Sequence, residues 1–172
     1  WSRYSNHSRQ IYVSTNYGST WTDTLLLPNV NLSAVSLSGS GQYQTAVFPS
    51  GLIQVSSDFG NSWSPKDNTR DWESVAISDS GQYQTALNNL NGQIYISNDY
   101  GQTWTSKDSD REWNGISISA TGQYQVACAY NGQIYVSNDY GGSWSPKESN
   151  RQWAGISISG SGQYISSVVY LS

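Results

Sequence analysis

The chain has 172 residues, enough for one well-cored domain that buries roughly 70% of its unfolded surface. Charged residues make up 12% and the net charge is −4, which excludes a polyanion-binding protein, because nucleic-acid affinity comes from clustered Lys and Arg. Aromatic content of 13% is more apolar surface than a disordered chain leaves solvated, and no apolar run approaches the roughly 20 residues of a membrane-spanning helix.

In chain order, "RQIYVSTNYGSTW" (9–21) reads as two strands around a turn. After "LLLPNVNL" (25–32), a unit begins that returns through the rest of the chain. Gly-Gln-Tyr recurs at 41–43, 81–83, 122–124 and 162–164, and Trp21, Trp63, Trp104 and Trp144 keep the same step of about 41 residues. Inside each unit the period is two. In "NGISIS" Ile116 and Ile118 alternate with Ser, and in "GQYQVACAY" Tyr124, Val126, Cys128 and Tyr130 share a face. Each unit is therefore expected to hold four strands: a first (such as 114–119), a second (123–130), a third (133–138) and a fourth (103–107). Apolar or small residues on both strand faces suit a sheet packed on two sides by its neighbours. This predicts an all-β fold, a β-propeller of four blades of about 41 residues occupying 1–172 as a single domain.

The chain opens on the third and fourth strands of a unit and ends on the first and second, "WAGISISGSGQYISSVVY" (153–170). One blade is thus expected to be completed by N- and C-terminal strands, within the chain or between chains. Unpaired edges demand some closure, so self-association through the terminal half-blades is an expected partner interaction. With Trp1 first and no Met, the chain reads as a mature product or an excerpt. Low charge and two sequons, at Asn6 and Asn31, favour an extracellular or surface-exposed setting.

Four turns share one motif: "STNYGSTW" (14–21), "SSDFGNSW" (56–63), "SNDYGQTW" (97–104) and "SNDYGGSW" (137–144). The pattern Ser-x-Asp-x-Gly-x-Ser/Thr-Trp resembles the Asp box, or bacterial neuraminidase repeat, of sialidase- and sortilin-like propellers. Only Asn16 departs from it. The surrounding texture also resembles repeat proteins of large DNA viruses, which adds a virion surface to the expected settings. The resemblance implies that the boxes lie away from the ligand-binding face. Physically, Asp58, Asp99 and Asp139 can accept turn N–H groups, with the Asn16 amide as a partial substitute. Gly18, Gly60, Gly101 and Gly141 supply positive φ, and each box Trp enters the fourth strand with a large apolar body to bury. The motif is read as structural.

A second pattern, "SPKDNTRDW" (64–72), "TSKDSDREW" (105–113) and "SPKESNRQW" (145–153), is expected to connect the outermost strand of one blade to the innermost of the next. It sets Arg70, Arg111 and Arg151 on the face opposite the Asp boxes, with Trp72, Trp113 and Trp153 two residues on. "LLLPNVNL" has Val30 and Leu32 instead. One reading is a shallow site in which Arg forks clamp an acid and aromatic faces stack on a glycan. The other pairs each Arg with a local acid (Asp67, Asp71, Glu112, Glu148) and plugs each Trp between blades. Threefold repetition favours the second reading, because a substrate is seldom threefold symmetric.

The sialidase resemblance would imply an Arg triad, a Tyr–Glu nucleophile pair and an acid–base Asp, but no position matches them. Glu73, Glu112 and Glu148 all belong to repeated segments, whereas a glycosidase needs two differentiated carboxylates. A glycosidase remnant is the least favoured reading. Cys128 aligns with Val47, Leu87 and Val168, so it reads as a small buried hydrophobe, and His7 as a surface residue. No Cys/His cluster or phosphate loop calls for a metal or cofactor. The expectation is a non-enzymatic structural or recognition module that makes protein contacts, with a lectin-like glycan binder as the alternative, no nucleic acid and no membrane insertion.

Overall fold

The computed structural model of the chain describes residues 9–27, 32–89 and 92–170. His7, Val30 and the sequon residues Asn6 and Asn31 lie outside them. All of the regular structure described is β. A two-stranded sheet comes first, β1 (Arg9–Val13) with β2 (Thr22–Leu27). Three four-stranded antiparallel sheets follow. They are β3 (Ala34–Leu37), β4 (Gln44–Val47), β5 (Gly51–Ser56) and β6 (Ser64–Arg70); β7 (Trp72–Ile77), β8 (Gln84–Asn88), β9 (Gly92–Ser97) and β10 (Thr105–Arg111); and β11 (Trp113–Ile118), β12 (Gln125–Ala129), β13 (Gly132–Ser137) and β14 (Ser145–Arg151). The last sheet is two-stranded, β15 (Trp153–Ile158) with β16 (Ile165–Val169).

Each four-stranded sheet is a meander in chain order, so every strand pairs with its sequence neighbour through a tight turn. The expected first, second and third strands fall within a residue or two of their positions. The fourth differs. Expected to stop at 107, it runs on to Arg111, and the segment read as an inter-blade connection is the outer half of the strand itself. It continues the ladder across a bulge: Lys66 pairs with Ile53 and Arg70 with Gly51, with the residues between pushed out. Asp67, Asp108 and Glu148 take positive φ of 57–60° at this bulge. A single residue then separates β6 from β7 and β10 from β11.

Successive sheets pack face to face. Val47, Ile53 and Val55 of one blade share a core with Trp72 and Val75 of the next. Leu87, Ile94 and Ile96 share the following core with Trp113 and Ile116. Ala46, Ala86 and Ala127 are fully buried in the middle of the second strands, small enough for neighbouring sheets to approach on both faces. Cys128 is buried beside them, and burial pushes its thiol up to about 11.

Hydrogen bonds also tie blade to blade. A backbone belt runs from Gly39 N–H to Asp79 C=O, Asp79 N–H to Ala120 C=O and Ala120 N–H to Gly160 C=O, each 2.9–3.0 Å. Buried side chains repeat the link: Thr45 and Thr85 donate to the Oε1 of Gln84 and Gln125 in the following blade, both at 2.6 Å. The two terminal sheets remain separate, without β1–β16 pairing within one chain.

Candidate functional site

The Asp-box turns behave as the residue types require. Ser62, Thr103 and Ser143 donate their backbone N–H to Oδ1 of Asp58, Asp99 and Asp139, all at 2.9 Å, and their hydroxyls donate to Oδ2 at 2.6–2.7 Å. Asn16 keeps the first bond, from Thr20 N–H. It reverses the second, its Nδ2 donating to Thr20 Oγ1 at 2.7 Å. The hydroxyl bonds from Ser62 and Ser143 hold the Asp58 and Asp139 carboxyls below the usual range. At Asp99 burial pushes the other way, and the bonds from Thr103 outweigh it.

Gly18, Gly60, Gly101 and Gly141 take φ of 80–82°. The residue before each is an aromatic that also has positive φ: Tyr17, Phe59, Tyr100 and Tyr140, at 55–62°. This strained pair turns the aromatic outward onto the preceding blade. Tyr100 meets Tyr43 at 4.6 Å and Tyr140 meets Tyr83 at 4.4 Å between ring centroids. The box Trp residues donate their indole N–H to the box Gly carbonyl at 3.0–3.1 Å. Trp104 and Trp144 lean on the core of the blade before them, and Trp63 on the core shared with β1. Trp21 is 62% exposed.

The Arg–Trp pattern lies at the opposite strand ends. The bulge turns each acid back towards the Arg three residues on. Arg70 pairs with Asp67 at 3.3 Å, Arg111 with Asp108 at 3.1 Å and Arg151 with Glu148 at 3.1 Å. Of the acids expected as partners, Asp67 and Glu148 serve; Asp71 instead accepts from the N–H and hydroxyl of Ser50. Backbone and hydroxyl bonds from Ser149, followed by Arg151, hold Glu148 below its usual range.

The guanidinium groups also stack on aromatic rings. Arg70 lies 4.3 Å from the Tyr95 ring and 5.8 Å from Trp72, and Arg111 lies 4.2 Å from Tyr135 and 5.4 Å from Trp113. Arg111 Nε also donates to the Tyr135 hydroxyl at 2.6 Å. Arg151 has Trp153 at 5.7 Å. Trp72 and Trp113 are sealed in the cores, and among the described residues the indole N–H groups of Trp72, Trp113 and Trp153 find no hydrogen-bond partner. Two of the three Arg forks are thus occupied by an acid below and a ring above, and the Trp faces behind them are covered by protein.

Tyr95 and Tyr135 were invisible as site residues one unit at a time. The signal lies across units. The same third-strand slot holds Tyr12, Gln54, Tyr95 and Tyr135, and Gln54 falls in the blade that follows Val30 rather than an Arg.

The terminal sheets leave a different surface. A groove of about 670 Å³ runs between β1 and the first complete blade, lined by Ile11, Tyr12, Trp21, Val35, Leu37 and Phe59. At the other end β16 presents Ile165, Val168 and Val169, all exposed. Among the described residues no group of three metal-ligating side chains forms.

The BNR/Asp-box repeat family matches residues 95–106. No curated protein matches the chain in sequence. Its fold is similar to that of YCF48 bound to D1 peptide, with 16% identity and a TM-score of 0.67 over 95% of this chain and 55% of that one. It is also similar to the Myceliophteria thermophila Cps50 (Swd1) β-propeller domain, with 15% identity and a TM-score of 0.70 over 95% of this chain and 60% of that one. A third similar structure is the Niastella koreensis GH74 enzyme, with 15% identity and a TM-score of 0.67 over 88% and 30%. The chain therefore spans little more than half the length of the solved chains it resembles, or less. What it shares with them is the fold alone, an array of β-propeller blades.

Proposed function

We propose that this array of Asp-box blades is a non-enzymatic module whose task is protein contact, including contact with further copies of itself, through its two open blade edges. One observation carries the reading. Exposed aliphatic surface gathers at the two ends of the array, with Leu37 of the first complete blade, beside β1, 56% exposed and Val168 of the terminal β16 63%. Apolar sheet faces and free strand edges are surfaces that proteins cover. The polar machinery supports the same reading from the other side. Asp58, Asp99 and Asp139 are committed to turns, and Asp67, Asp108 and Glu148 to Arg pairs, so the carboxylates of the two repeated patterns serve the fold rather than the paired acid–base role a glycosidase requires. Among proteins of this fold, YCF48 is described bound to a peptide. In this reading 1–172 is one propeller domain, displayed outside the cell or on a virion surface.

Light scattering of the purified chain across a concentration series tests it. The expected mass exceeds the 18.9 kDa of one chain, and a single-chain mass at every concentration contradicts the self-contact reading. The glycan alternative concentrates on Arg151, whose side chain is 53% exposed against 25% for Arg70 and Arg111. Glycan-array binding that disappears in Arg151→Ala is its signature, and turnover of a fluorogenic sialoside is that of the enzyme reading.

A further inference from the structure

We infer that the outer edge of the second complete blade, strand β10, is a docking site for an extended, acidic segment of a partner polypeptide. The segment adds to the sheet as a fifth strand. The site lies inside one complete blade and needs neither end sheet, so it goes beyond contact through the ends of the array.

The fourth strand of each complete blade lies at the edge of its sheet. Such an edge offers unpaired N–H and C=O groups to any chain that comes alongside. One register position decides how open each edge is. Opposite Tyr12, Gln54, Tyr95 and Tyr135 of the third strands stand Asp23, Pro65, Ser106 and Pro146. Proline has no N–H to give the ladder, so Pro65 and Pro146 occupy pairs whose backbone groups face away from the third strand. There the ring removes the outward donor and bars a further strand. Asp23 sets a charge in the slot, another common guard. Ser106 does neither. Thr105 and Lys107, on either side of it, pair with Ile96 and Ile94. By the same register the N–H and C=O of Ser106 point out of the sheet, and the residue is exposed. The bulge and the Lys that follow this slot are common to all three complete blades. The open edge of β10 therefore comes from one residue.

The side chains beside that edge specify the partner. A residue paired with Ser106 exchanges both backbone bonds with it, and its two neighbours project over the face that holds Thr105 and Lys107. On that face is a cleft of about 210 Å³, lined by Ile96, Asn98, Asp99, Thr103, Thr105 and Lys107. Lys107 is half-buried there. Among the described residues the ion pairs belong to Arg70, Arg111 and Arg151, and Lys107 forms none. Asp99 is already held, accepting from the Ser97 hydroxyl and from the N–H and hydroxyl of Thr103. A carboxylate on the partner strand, one residue from the position opposite Ser106, supplies the counter-ion that Lys107 lacks.

The two requirements, an open backbone edge and an unneutralised ammonium beside it, coincide in this blade. In the first complete blade Lys66 is also half-buried, but Pro65 closes the edge. In the third, Pro146 closes it and Lys147 is exposed. A sugar or a free anion can meet Lys107 but has no backbone with which to pair Ser106, and this separates them from a peptide in the test.

A phage-displayed library of random short peptides is panned on the whole chain, with the Ser106→Pro chain as competitor. It should enrich alternating β-branched sequences with a central Asp or Glu. In fluorescence anisotropy the enriched peptide should bind one site per chain. Ser106→Pro should weaken it by roughly tenfold or more. Circular dichroism and thermal unfolding should stay unchanged in that variant, because the sister blades already hold Pro in this slot. Methylating the peptide nitrogen that pairs with Ser106 should weaken binding as much. Lys107→Gln, and Gln in place of the peptide's acid, should each cost about fivefold, and together no more than either alone. The converse variant, Pro65→Ser, should open a second site beside Lys66 and raise the stoichiometry from one to two. No enriched peptide, binding indifferent to Ser106→Pro and to N-methylation, or binding lost with Lys107 alone overturns strand addition. Each of these leaves contact through the end sheets standing, since that is read from the mass in solution.

Discussion

Trp113 and Arg111 sit two residues apart in the same repeated pattern, yet they should differ sharply in what they contribute. Trp113 is 1% exposed and shares its core with nine-tenths-buried residues of two blades, so Trp113→Ala should cost about 3–5 kcal/mol in chemical denaturation. Arg111 is partly solvated, and its ion pair and ring contact together should be worth about 1–2 kcal/mol. A second residue-scale prediction concerns the buried Thr–Gln bridges. Thr85→Val strands Gln125 Oε1 in the core and should cost about 1–3 kcal/mol. Adding Gln125→Leu should recover part of that loss, because the chain itself sets Val126 and Ile165 at the next pair of positions. A double-mutant cycle measures the coupling.

The Asp-box turn is the element that repeats most faithfully, and its chemistry gives a pH prediction. The three carboxyls are held below their usual range in the folded state. Their stabilisation is therefore complete above about pH 4 and is lost as pH falls through the lowered values. Thermal unfolding should be nearly flat from pH 7 to about 5 and fall steeply below 4. Replacing Asp58, Asp99 and Asp139 by Asn should lower stability at pH 7 and remove much of the acid sensitivity, since Asn16 already serves in one turn. The turn's glycine makes a sharper distinction. Gly101→Ala must hold φ of +81° and push a methyl to 2.9 Å from Val55, about 1–3 kcal/mol. Gly18→Ala, whose methyl would meet only Trp21 at an ordinary 3.9 Å, carries the backbone term of about 1–2 kcal/mol.

For the molecule as a whole, a linear array of wedges that touch only their neighbours should not be uniformly stable. β8 is buried along nearly its whole length and β16 is exposed along nearly all of its own. Amide hydrogen exchange on dilute, single-chain protein should therefore be slowest in β8 and fastest in β1 and β16, with β16 gaining protection wherever a second copy covers it. The repeat, the strand count, the turn chemistry of Asp58 and its equivalents, and the burial of Cys128 were all legible along the sequence, because each depends on period-two alternation or on contacts within eight residues. The Arg segment was misplaced as a connection because its bulge is a ladder irregularity: the positive φ falls on Asp67 and Asp108 but also on Glu148, so residue type alone did not mark the slot. The covers over the guanidiniums, Tyr95 and Tyr135, come from strands 24–25 residues further on. The exposure of Val168, against the burial of Val47 in the same slot, depends on whether another sheet lies alongside. Sequence thus determined what each wedge is made of, since that is written in local alternation and turn residues. Which surfaces are covered and which left bare was decided only by tertiary structure, because burial belongs to pairs of wedges: Val47 has a second sheet alongside and, among the described residues, Val168 has none.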